Sequence, residues 1–353
     1  AYGGTKNDSF HGNGEGADIF KGNGGDDYFD GGDGVDIAIY SGNSSDYTVT
    51  EITYNTFEIK DNRTGSPDGT DTIIDVNKLR FADGDQDVVI AGLNIVGDDT
   101  AEEIDGGSNA DYIDGAGGND VINGEGGNDD LAGGNGNDSV NGGIGNDFMD
   151  GGQGSDILNG GQGNDNMAGG QGSDTYVVDS ASDVVTEESN TTNGVDLVQA
   201  SVSYTISDAD VENLTLTGSA AINGTGNSSA NTLTGNSANN VLNGGGGVDT
   251  VNFSGATVGV SVNLTTGKAS SKQTGTDTLV AIENVTTGKG ADTLIGNAAN
   301  NVLNGGAGVD TANYAGATVG VSVNLTTGKA SSTQTGTDTL VAIENVTTGK
   351  GAD

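Results

Sequence analysis

An apolar residue recurs every nine residues through the middle of the chain, between polar and glycine positions. Counted from Gly97, nine consecutive units span residues 97–177 without an insertion, and the eighth position of each unit is apolar or aromatic. These eighth positions are Ile104, Ile113, Ile122, Leu131, Val140, Met149, Leu158, Met167 and Tyr176. Because neighbouring side chains of a strand point to opposite faces, the pattern predicts a short strand with its eighth residue buried.

Glycine dominates the first, second and fourth positions of these units, as in GGQGNDNMA at 160–168. Glycine adopts left-handed backbone angles without strain, so each unit predicts a tight turn followed by a strand. One apolar residue per unit cannot bury itself, but stacked units can, if two thin sheets press together. The sequence therefore predicts an all-β fold, a parallel β-roll or β-helix solenoid, in which one coil is two units long.

The sixth position of the same units is acidic. It is Glu102 in the first unit and aspartate in the other eight, namely Asp111, Asp120, Asp129, Asp138, Asp147, Asp156, Asp165 and Asp174. Stacked coils lie about 4.8 Å apart, so the carboxylates form a column. Neighbouring charges would repel by about 3 kcal/mol at an effective dielectric of about 20. The column therefore requires a cation, and hard oxygen ligands favour calcium. The alternative is a series of solvated acidic turns, which does not need a fixed frame.

The composition agrees with cation binding and limits other functions. The chain has 353 residues with 65 glycines and one proline, and its net charge is −40 from 51 acidic and 11 basic residues. That charge argues against nucleic acid and anionic membrane surfaces as partners. By itself the composition is also typical of disorder, and the regular spacing is what argues against it. There is no cysteine, which excludes disulfides. His11 is the only histidine, so a Ser-His-Asp triad could form only around that residue.

The unit GGQGNDNMA and its neighbours resemble the hemolysin-type, or repeats-in-toxin (RTX), calcium-binding nonapeptide. The resemblance implies a parallel β-roll, export by type I secretion, and folding outside the cell on meeting calcium. It also implies that the sixth-position aspartates bind calcium together with carbonyls of the glycine turns. A shorter array at the N-terminus adds Asp18, Asp27 and Asp36, with Asp8 in a looser unit. Glycine-rich turns in the last third add Asp249, Asp292 and Asp310.

The remaining sequence predicts further β-structure. DYTVTEI and TFEIKD, within 41–96, alternate like strands and predict a small β insertion. Near 226–252 the nonapeptide returns with Asn231 and Asn240 in place of aspartate, which predicts a roll that continues with fewer ions. Residues 244–292 recur as 305–353 with 44 of 49 positions identical, a tandem repeat. We expect the chain to be a piece of a longer protein, because the second copy stops within its pattern.

These patterns predict six segments, with the β insertion lying between two calcium-binding rolls. They are a first calcium β-roll at 1–40, a β-rich insertion or cap at 41–96, the main calcium β-roll at 97–177, an asparagine-rich continuation at 178–243, and tandem copies at 244–304 and 305–353.

The expected function is that of a calcium-dependent structural segment of a large secreted bacterial surface protein, of the surface-layer or adhesin type. Two alternatives stay open: the non-catalytic C-terminal region of a secreted hydrolase, protease or epimerase, or of a pore-forming toxin. No enzymatic activity is expected, since repeated units give their carboxylates alike environments. Calcium ions are the expected partners, with self-association or binding to cell-surface glycan or protein as further interactions, and neither nucleic acid binding nor membrane insertion is expected.

Overall fold

The computed structural model describes residues 1–12, 18–31, 36–53, 56–74, 76, 78–87, 94–188 and 194–351. Over these residues the chain forms strands and one short 3-10 helix, Ser44–Asp46, and no α-helix. The strands are β1 Ser9–His11, β2 Ile19–Phe20, β3 Tyr28–Asp30, β4 Ile37–Ile39, β5 Tyr47–Thr53, β6 Thr56–Asp61, β7 Thr70–Ile74, β8 Lys78–Phe81, β9 Gly84–Asp87, β10 Asn94–Val96, β11 Glu103–Gly107, β12 Tyr112–Asp114, β13 Val121–Glu125, β14 Asp130–Asn135, β15 Ser139–Ile144, β16 Phe148–Gln153, β17 Ile157–Gln162, β18 Asn166–Gln171, β19 Thr175–Val178, β20 Val184–Thr186, β21 Leu197–Ala200, β22 Tyr204–Thr205, β23 Asn213–Leu216, β24 Gly224–Thr225, β25 Thr232–Thr234, β26 Val241–Asn243, β27 Thr250–Asn252, β28 Ser261–Asn263, β29 Lys268–Ser271, β30 Gly275–Val280, β31 Asn284–Thr286, β32 Thr293–Ile295, β33 Val302–Asn304, β34 Thr311–Asn313, β35 Ser322–Asn324, β36 Lys329–Ser332, β37 Gly336–Val341 and β38 Asn345–Thr347.

The chain divides into two compact units, one of residues 1–96 with 107–112 and the other of residues 97–106 with 113–353. In the second unit, strands pair in parallel with a register of eighteen residues. Val140 of β15 lies between Ile122 of β13 and Leu158 of β17 in one sheet. Strands β14, β16 and β18 repeat the arrangement in the other sheet. The predicted parallel solenoid with two units per coil is therefore confirmed.

The core of this roll is a single layer of eighth-position side chains between the two sheets. All of them from Ile113 to Tyr176 are at most 1 % exposed. Seventh-position residues face outward even when they are apolar, as for Phe148 at 51 % and Ile157 at 49 % exposure. The alternation follows from the strand period of two, so the nonapeptide places one apolar side chain per unit in the core.

The first unit has two sheets, with strand orders β1-β3-β7-β6-β5 and β2-β4-β8-β9. The predicted strands in DYTVTEI and TFEIKD form an antiparallel pair, β5 and β6, and β7 returns to pair in parallel with β3. The loop after β6 is fixed by Arg63, which pairs with Asp61 at 2.7 Å and Asp68 at 3.0 Å. The hydrogen bonds from Arg63 lower the pKa of Asp61 to about 2.

The two tandem copies keep the solenoid and add a hairpin to it. In the first copy, β28, β29 and β30 form an antiparallel meander, and β35, β36 and β37 form the same meander in the second. Strands β30 and β37 then rejoin the parallel stacking, against β26 and β33 respectively. The longer repeat is thus an ordinary coil interrupted by a hairpin of fixed register.

Candidate metal centre

The sixth-position aspartates of the main roll lie at the start of each strand and are joined in two ladders, one for each sheet. The backbone N–H of each aspartate donates to Oδ1 of the aspartate one coil later, over 2.7–2.9 Å. The donor and acceptor pairs are Asp120 and Asp138, Asp129 and Asp147, Asp138 and Asp156, Asp147 and Asp165, and Asp156 and Asp174. The predicted column of carboxylates is therefore present, and one oxygen of each carboxylate has a structural partner.

The second oxygen of six of these carboxylates has no hydrogen-bond partner among the described residues. It is buried without a hydrogen-bond partner in Asp120, Asp138, Asp147, Asp156, Asp165 and Asp174. A buried charged oxygen without a partner costs several kcal/mol, which a folded protein avoids by protonation or by binding a cation. Each of these six turns therefore has one oxygen that requires a proton or a cation from outside the polypeptide.

Glycine at the first position gives this oxygen its surroundings. A Cβ added to Gly133 would lie 2.6 Å from Oδ2 of Asp138 and 2.8 Å from the carbonyl oxygen of Gly151, one coil later. At Gly151 the corresponding distances, to Asp156 and to the carbonyl oxygen of Gly169, are 2.6 Å and 2.7 Å. A carboxylate oxygen and a carbonyl oxygen thus converge on the side of the glycine that carries only hydrogen. Any larger residue would fill this space.

The second and fourth positions need glycine for a different reason. Gly152 and Gly154 have φ values of +95° and +143°, which side chains rarely adopt. A Cβ on either would also collide with the carbonyl oxygen of the equivalent glycine in the preceding coil. Their carbonyls therefore face along the stack with no side chain between coils.

This donor set fits calcium. It contains only hard oxygens, carboxylate Oδ2 and glycine carbonyls, and calcium takes six to eight oxygens at about 2.3–2.6 Å. The residues that would hold the ion are the sixth-position aspartates together with carbonyls of the glycine turns. Bound there, calcium would neutralise the buried carboxylates.

Burial raises the pKa of these carboxyl groups, to about 7 for Asp156 and about 6 for Asp165. It also raises the pKa of Asp138, Asp147 and Asp174. Repulsion from neighbouring aspartates contributes to the shift at Asp156 and Asp165, but desolvation is the largest cause. The column therefore opposes folding chiefly because it is buried, whereas the sequence suggested mutual repulsion.

The N-terminal aspartates belong to ladders of the same kind. Asp8 donates through its backbone N–H to Asp27 at 2.8 Å, and Asp18 donates to Asp36 at 2.7 Å. Asp27 in turn donates to Asp71 at 2.8 Å, and burial raises the pKa of Asp71 to about 8. The glycine-rich turns at 13–17 and 32–35 lie outside the described residues.

The start of the main array departs from the pattern in a way that preserves the ladder. Glu102 accepts the backbone N–H of Asp98 at 3.0 Å and donates its own to Oδ1 of Asp120 at 2.9 Å. Asp111 is buried and accepts the N–H of Gly107 at 2.7 Å. The longer glutamate thus keeps the hydrogen-bonding role of the sixth position.

The three aspartates predicted in the last third also occupy the ladder. Asp249 accepts from the backbone of Asn231 at 2.8 Å, Asp292 from Val260 at 2.7 Å, and Asp310 from Asp292 at 2.8 Å. Oδ2 of all three is buried without a hydrogen-bond partner among the described residues. They share the geometry of the main roll.

Besides Asp71, four further ladder aspartates were missed in the sequence. They are Asp183, Asp196, Asp277 and Asp338, which accept from Asp165, Asp174, Asn240 and Asn301 respectively over 2.8–3.1 Å. Asp183 continues the nine-residue frame in VDSASDVVT, where the glycines are gone. Asp277 and Asp338 lie in β30 and β37, behind hairpins that break the spacing.

Asparagine completes the ladder by itself. The side-chain amide of Asn240 donates to the carbonyl of Ile222 at 2.7 Å and to Oδ1 of Asn236 at 3.1 Å. Its Oδ1 accepts the N–H of Asn236 at 3.0 Å. Asn301 makes the equivalent bonds to Glu283 and Asn297. The NH2 group thus satisfies carbonyl oxygens that are left to a cation in the aspartate turns.

Comparison with known proteins identifies the repeat. A family model described as the RTX calcium-binding nonapeptide repeat (4 copies) matches residues 2–38, 96–131, 105–140, 124–158, 141–176, 225–255 and 282–312, about half of the chain. A solved structure, extracellular lipase LipA from Serratia marcescens, is similar with 20% identity and a TM-score of 0.14. The similarity covers 57% of this chain and 32% of the lipase, so the chain spans about a third of the lipase's length.

No curated protein matches the chain in sequence. In the described part of the chain, no helix has the length and apolar character that crossing a membrane requires. RTX nonapeptide repeats bind calcium, and proteins that contain them are typically exported by type I secretion. The matched segments contain the nonapeptide aspartates from Asp111 to Asp174, and the chain belongs to the RTX calcium-binding nonapeptide repeat family.

Proposed function

We propose that this chain is a calcium-dependent structural segment of a large secreted bacterial surface protein, of the surface-layer or adhesin type. Its role is mechanical, as a spacer outside the cell, and it carries no catalytic activity. The observation that carries the proposal is the column of buried Oδ2 atoms from Asp120 to Asp174, which need a cation to be stable in the folded state.

Because folding depends on calcium, the chain folds outside the cell and not in the cytosol. At a free calcium concentration about 100 times the dissociation constant, each site adds about 2.7 kcal/mol to the stability of the folded chain. Extracellular calcium modules have dissociation constants of about 10⁻⁴–10⁻³ M, far above cytosolic calcium levels. The chain therefore stays unfolded before export and folds afterwards. An unfolded chain is the form that a type I channel would carry.

The spacer role is supported by the tandem copies. The hairpin of the second copy has the register of the first, Val323 with Ala330 as Val262 with Ala269. Both copies return to the parallel stack, so a further copy lengthens the solenoid without changing its coil. Such extension suits a surface-layer or adhesive protein, and self-association or contact with surface glycan or protein is part of the same proposal.

The proposal is tested first on the purified chain. Far-ultraviolet circular dichroism should indicate an unfolded chain in chelator and recover the β-signal on addition of calcium, but not of magnesium at the same concentration. A chain that keeps its β-signal in chelator would contradict calcium-dependent folding.

The location is tested on the cells that make the protein. An antibody raised against residues 97–177 should label intact cells and lose that label after a calcium-chelating wash. Label found only in lysed cells would contradict the surface role while leaving calcium binding intact.

A further inference from the structure

The main roll ends in a group of side chains that differs from the aspartate turns before it. Asp174 precedes β19 and Asp196 precedes β21, and these strands are neighbours in one sheet. Glu187 follows directly after β20 of the other sheet. One carboxylate oxygen from each of the three residues lies within 4.8 Å of the others.

Glu187 takes a place that a glycine carbonyl holds elsewhere. In five earlier units, the first-position glycine faces an aspartate Oδ2 and the carbonyl of the first-position glycine one coil later; these glycines are Gly115, Gly124, Gly133, Gly142 and Gly151. Gly169 instead faces Oδ2 of Asp174 at 2.6 Å and Oε1 of Glu187 at 2.8 Å, measured from an added Cβ. A negatively charged oxygen thus replaces a neutral one. The loss of glycine at position 187 is what introduces it.

Tyr176 adds a fourth oxygen to the same space. It is the only tyrosine among the eighth positions of the array, and its ring is fully buried in the core layer. Its hydroxyl donates to Oε1 of Glu187 and also lies against Gly169. A phenylalanine would fill the core equally well, so the hydroxyl has a role at the edge of the layer.

The carboxylates lack a protein partner that would balance them. Asp174 and Asp196 are 1 % and 0 % exposed, and Oδ2 of each is buried without a hydrogen bond among the described residues. Oε2 of Glu187 is also buried without a partner in the described part of the chain. The loop that follows, SNTTN at 189–193, contains no lysine or arginine in its sequence. Three carboxylates therefore converge, and among the described residues none of them forms an ion pair.

We propose that Asp174, Glu187 and Asp196, with the hydroxyl of Tyr176, form a calcium site composed of side chains, which replaces the glycine-turn site at the end of the column. One oxygen of each carboxylate lies within 4.8 Å of the other two, close enough to share one calcium ion, whose opposite ligands lie about 4.6–5.2 Å apart. Ligand charge raises calcium affinity, so this site binds more tightly than the turns, which combine aspartate with neutral carbonyls. It fills first as calcium rises. The inference does not depend on the surface role proposed above.

Terbium luminescence provides a direct test, because a trivalent ion substitutes for calcium and emits when a nearby tyrosine is excited. The chain has no tryptophan, so the sensitiser must be one of its nine tyrosines. With one equivalent of terbium, the full chain should emit on tyrosine excitation. Tyr176→Phe should remove most of that emission while keeping the core packing. Unchanged emission in Tyr176→Phe would overturn the proposal.

The carboxylate is tested by Glu187→Gln, with Glu188→Gln as the matched control on the adjacent exposed residue. We expect Glu187→Gln to require about tenfold more calcium or terbium for the first binding event. Glu188→Gln should titrate like the unmodified chain. If Glu187 instead holds a proton, glutamine is its close mimic and Glu187→Gln would bind the first ion normally, which would overturn the site.

A second comparison separates this site from the nonapeptide column. In calcium titration calorimetry, Asp147→Asn should weaken the later, weaker binding events and leave the first unchanged, the reverse of Glu187→Gln. If Asp147→Asn and Glu187→Gln both leave calcium binding unchanged, the calcium-dependent function fails as well. If only Asp147→Asn has an effect, the separate site alone is wrong. Should Glu187→Gln not fold at saturating calcium, the terbium result with Tyr176→Phe decides.

Discussion

The aspartate turns at 115–174 and the asparagine turns at 226–243 build the same ladder and complete it differently. Asp138 accepts one backbone N–H through Oδ1, and its Oδ2 is buried without a hydrogen-bond partner among the described residues. Asn240 occupies the same place, donates a backbone N–H to Asp277, and uses its amide to bond Ile222 and Asn236. The difference between the two residues is one NH2 group in place of one oxygen.

That difference assigns calcium dependence to individual coils. An amide can donate to the carbonyls of the preceding coil, whereas a carboxylate can only add another acceptor among them. The second position of the asparagine unit 226–234 also carries an amide donor, whereas the aspartate turns have glycine there. Asn227 donates to the carbonyls of Asp208 at 2.6 Å and Val211 at 2.8 Å. Asparagine coils are therefore complete without an ion. The expectation of fewer ions in this region stays a prediction.

Removal of calcium should have the largest effect and should separate the two regions. In hydrogen exchange with mass spectrometry, chelator should abolish amide protection across 121–171 and preserve more of it across 226–243. The reason is that only the first region buries carboxylate oxygens without partners. Equal loss in both regions would contradict the comparison and indicate a single cooperative unit.

The next effect comes from converting asparagine turns into aspartate turns. Asn231→Asp with Asn240→Asp removes the amide donors, and each change should cost about 1–3 kcal/mol in chelator. Calcium should recover part of that loss. Urea unfolding with and without calcium measures both quantities.

The matched control for this conversion is Asn223→Asp. Asn223 is exposed and accepts the N–H of Val241 through Oδ1, at 2.8 Å, a bond that aspartate keeps. It adds the same charge per substitution and should change stability by well under 1 kcal/mol. If the control is as harmful as the double substitution, added charge rather than the lost amide is responsible.

Much of this comparison could be predicted from the sequence because the period is strict. A nine-residue frame with a two-residue strand alternation fixes the coil, the core layer and the column of aspartates together. The exchange of Asp for Asn at 231 and 240 also indicated a region with fewer ions. These features depend on local spacing, which the sequence displays directly.

The missed residues depend on contacts between distant segments. Asp71 enters a ladder only because the antiparallel pair β5 and β6 brings β7 back beside β3. Asp196 follows Asp174 by 22 residues instead of 18, after an insertion that the frame does not anticipate. The hydrogen bond from each backbone N–H to an aspartate Oδ1 one coil later could not be predicted from the sequence either, because it depends on the stacking distance between coils.

The effect of pH on the stability of the fold should be smaller than the effect of calcium. Acid should stabilise the calcium-free fold and destabilise the calcium-bound fold. The folded-state pKa of about 7 for Asp156 and about 6 for Asp165 exceeds the ordinary value of 3.8. The folded chain thus binds more protons than the unfolded chain, so without calcium its stability falls as pH rises from about 4 to 7. With calcium, protons compete for the carboxylates, so acid weakens binding.

Circular dichroism in calcium-free buffer should therefore recover β-signal as pH is lowered from about 7.5 to 5, above the sequence pI of 4.1. The calcium midpoint should rise over the same range. A calcium-free chain that loses β-signal on acidification would show that the buried carboxylates are not the groups that oppose folding.

The smallest effect concerns the fifth position, which bears a ladder of its own. Oδ1 of Asn146 accepts the N–H of Asn164 at 2.8 Å, and the N–H of Asn146 donates to Asn128 at the same distance. These side chains are exposed, so Asn146→Ala should cost about 0.5 kcal/mol in urea unfolding. Asn146→Ser should cost less, because Ser155 fills the equivalent place and accepts from Ser173 at 3.3 Å.

The exposed Gln162, in the next turn of the same column, provides the control, and Gln162→Ala should leave stability unchanged. Because the fifth-position ladder uses only N–H donors and amide or hydroxyl acceptors, the cost of Asn146→Ala should be equal with and without calcium. An equal cost would confine calcium dependence to the sixth position, which is where the aspartate turns differ from the asparagine turns. A cost that disappears in chelator would instead make the Asn146 amide part of the cation site.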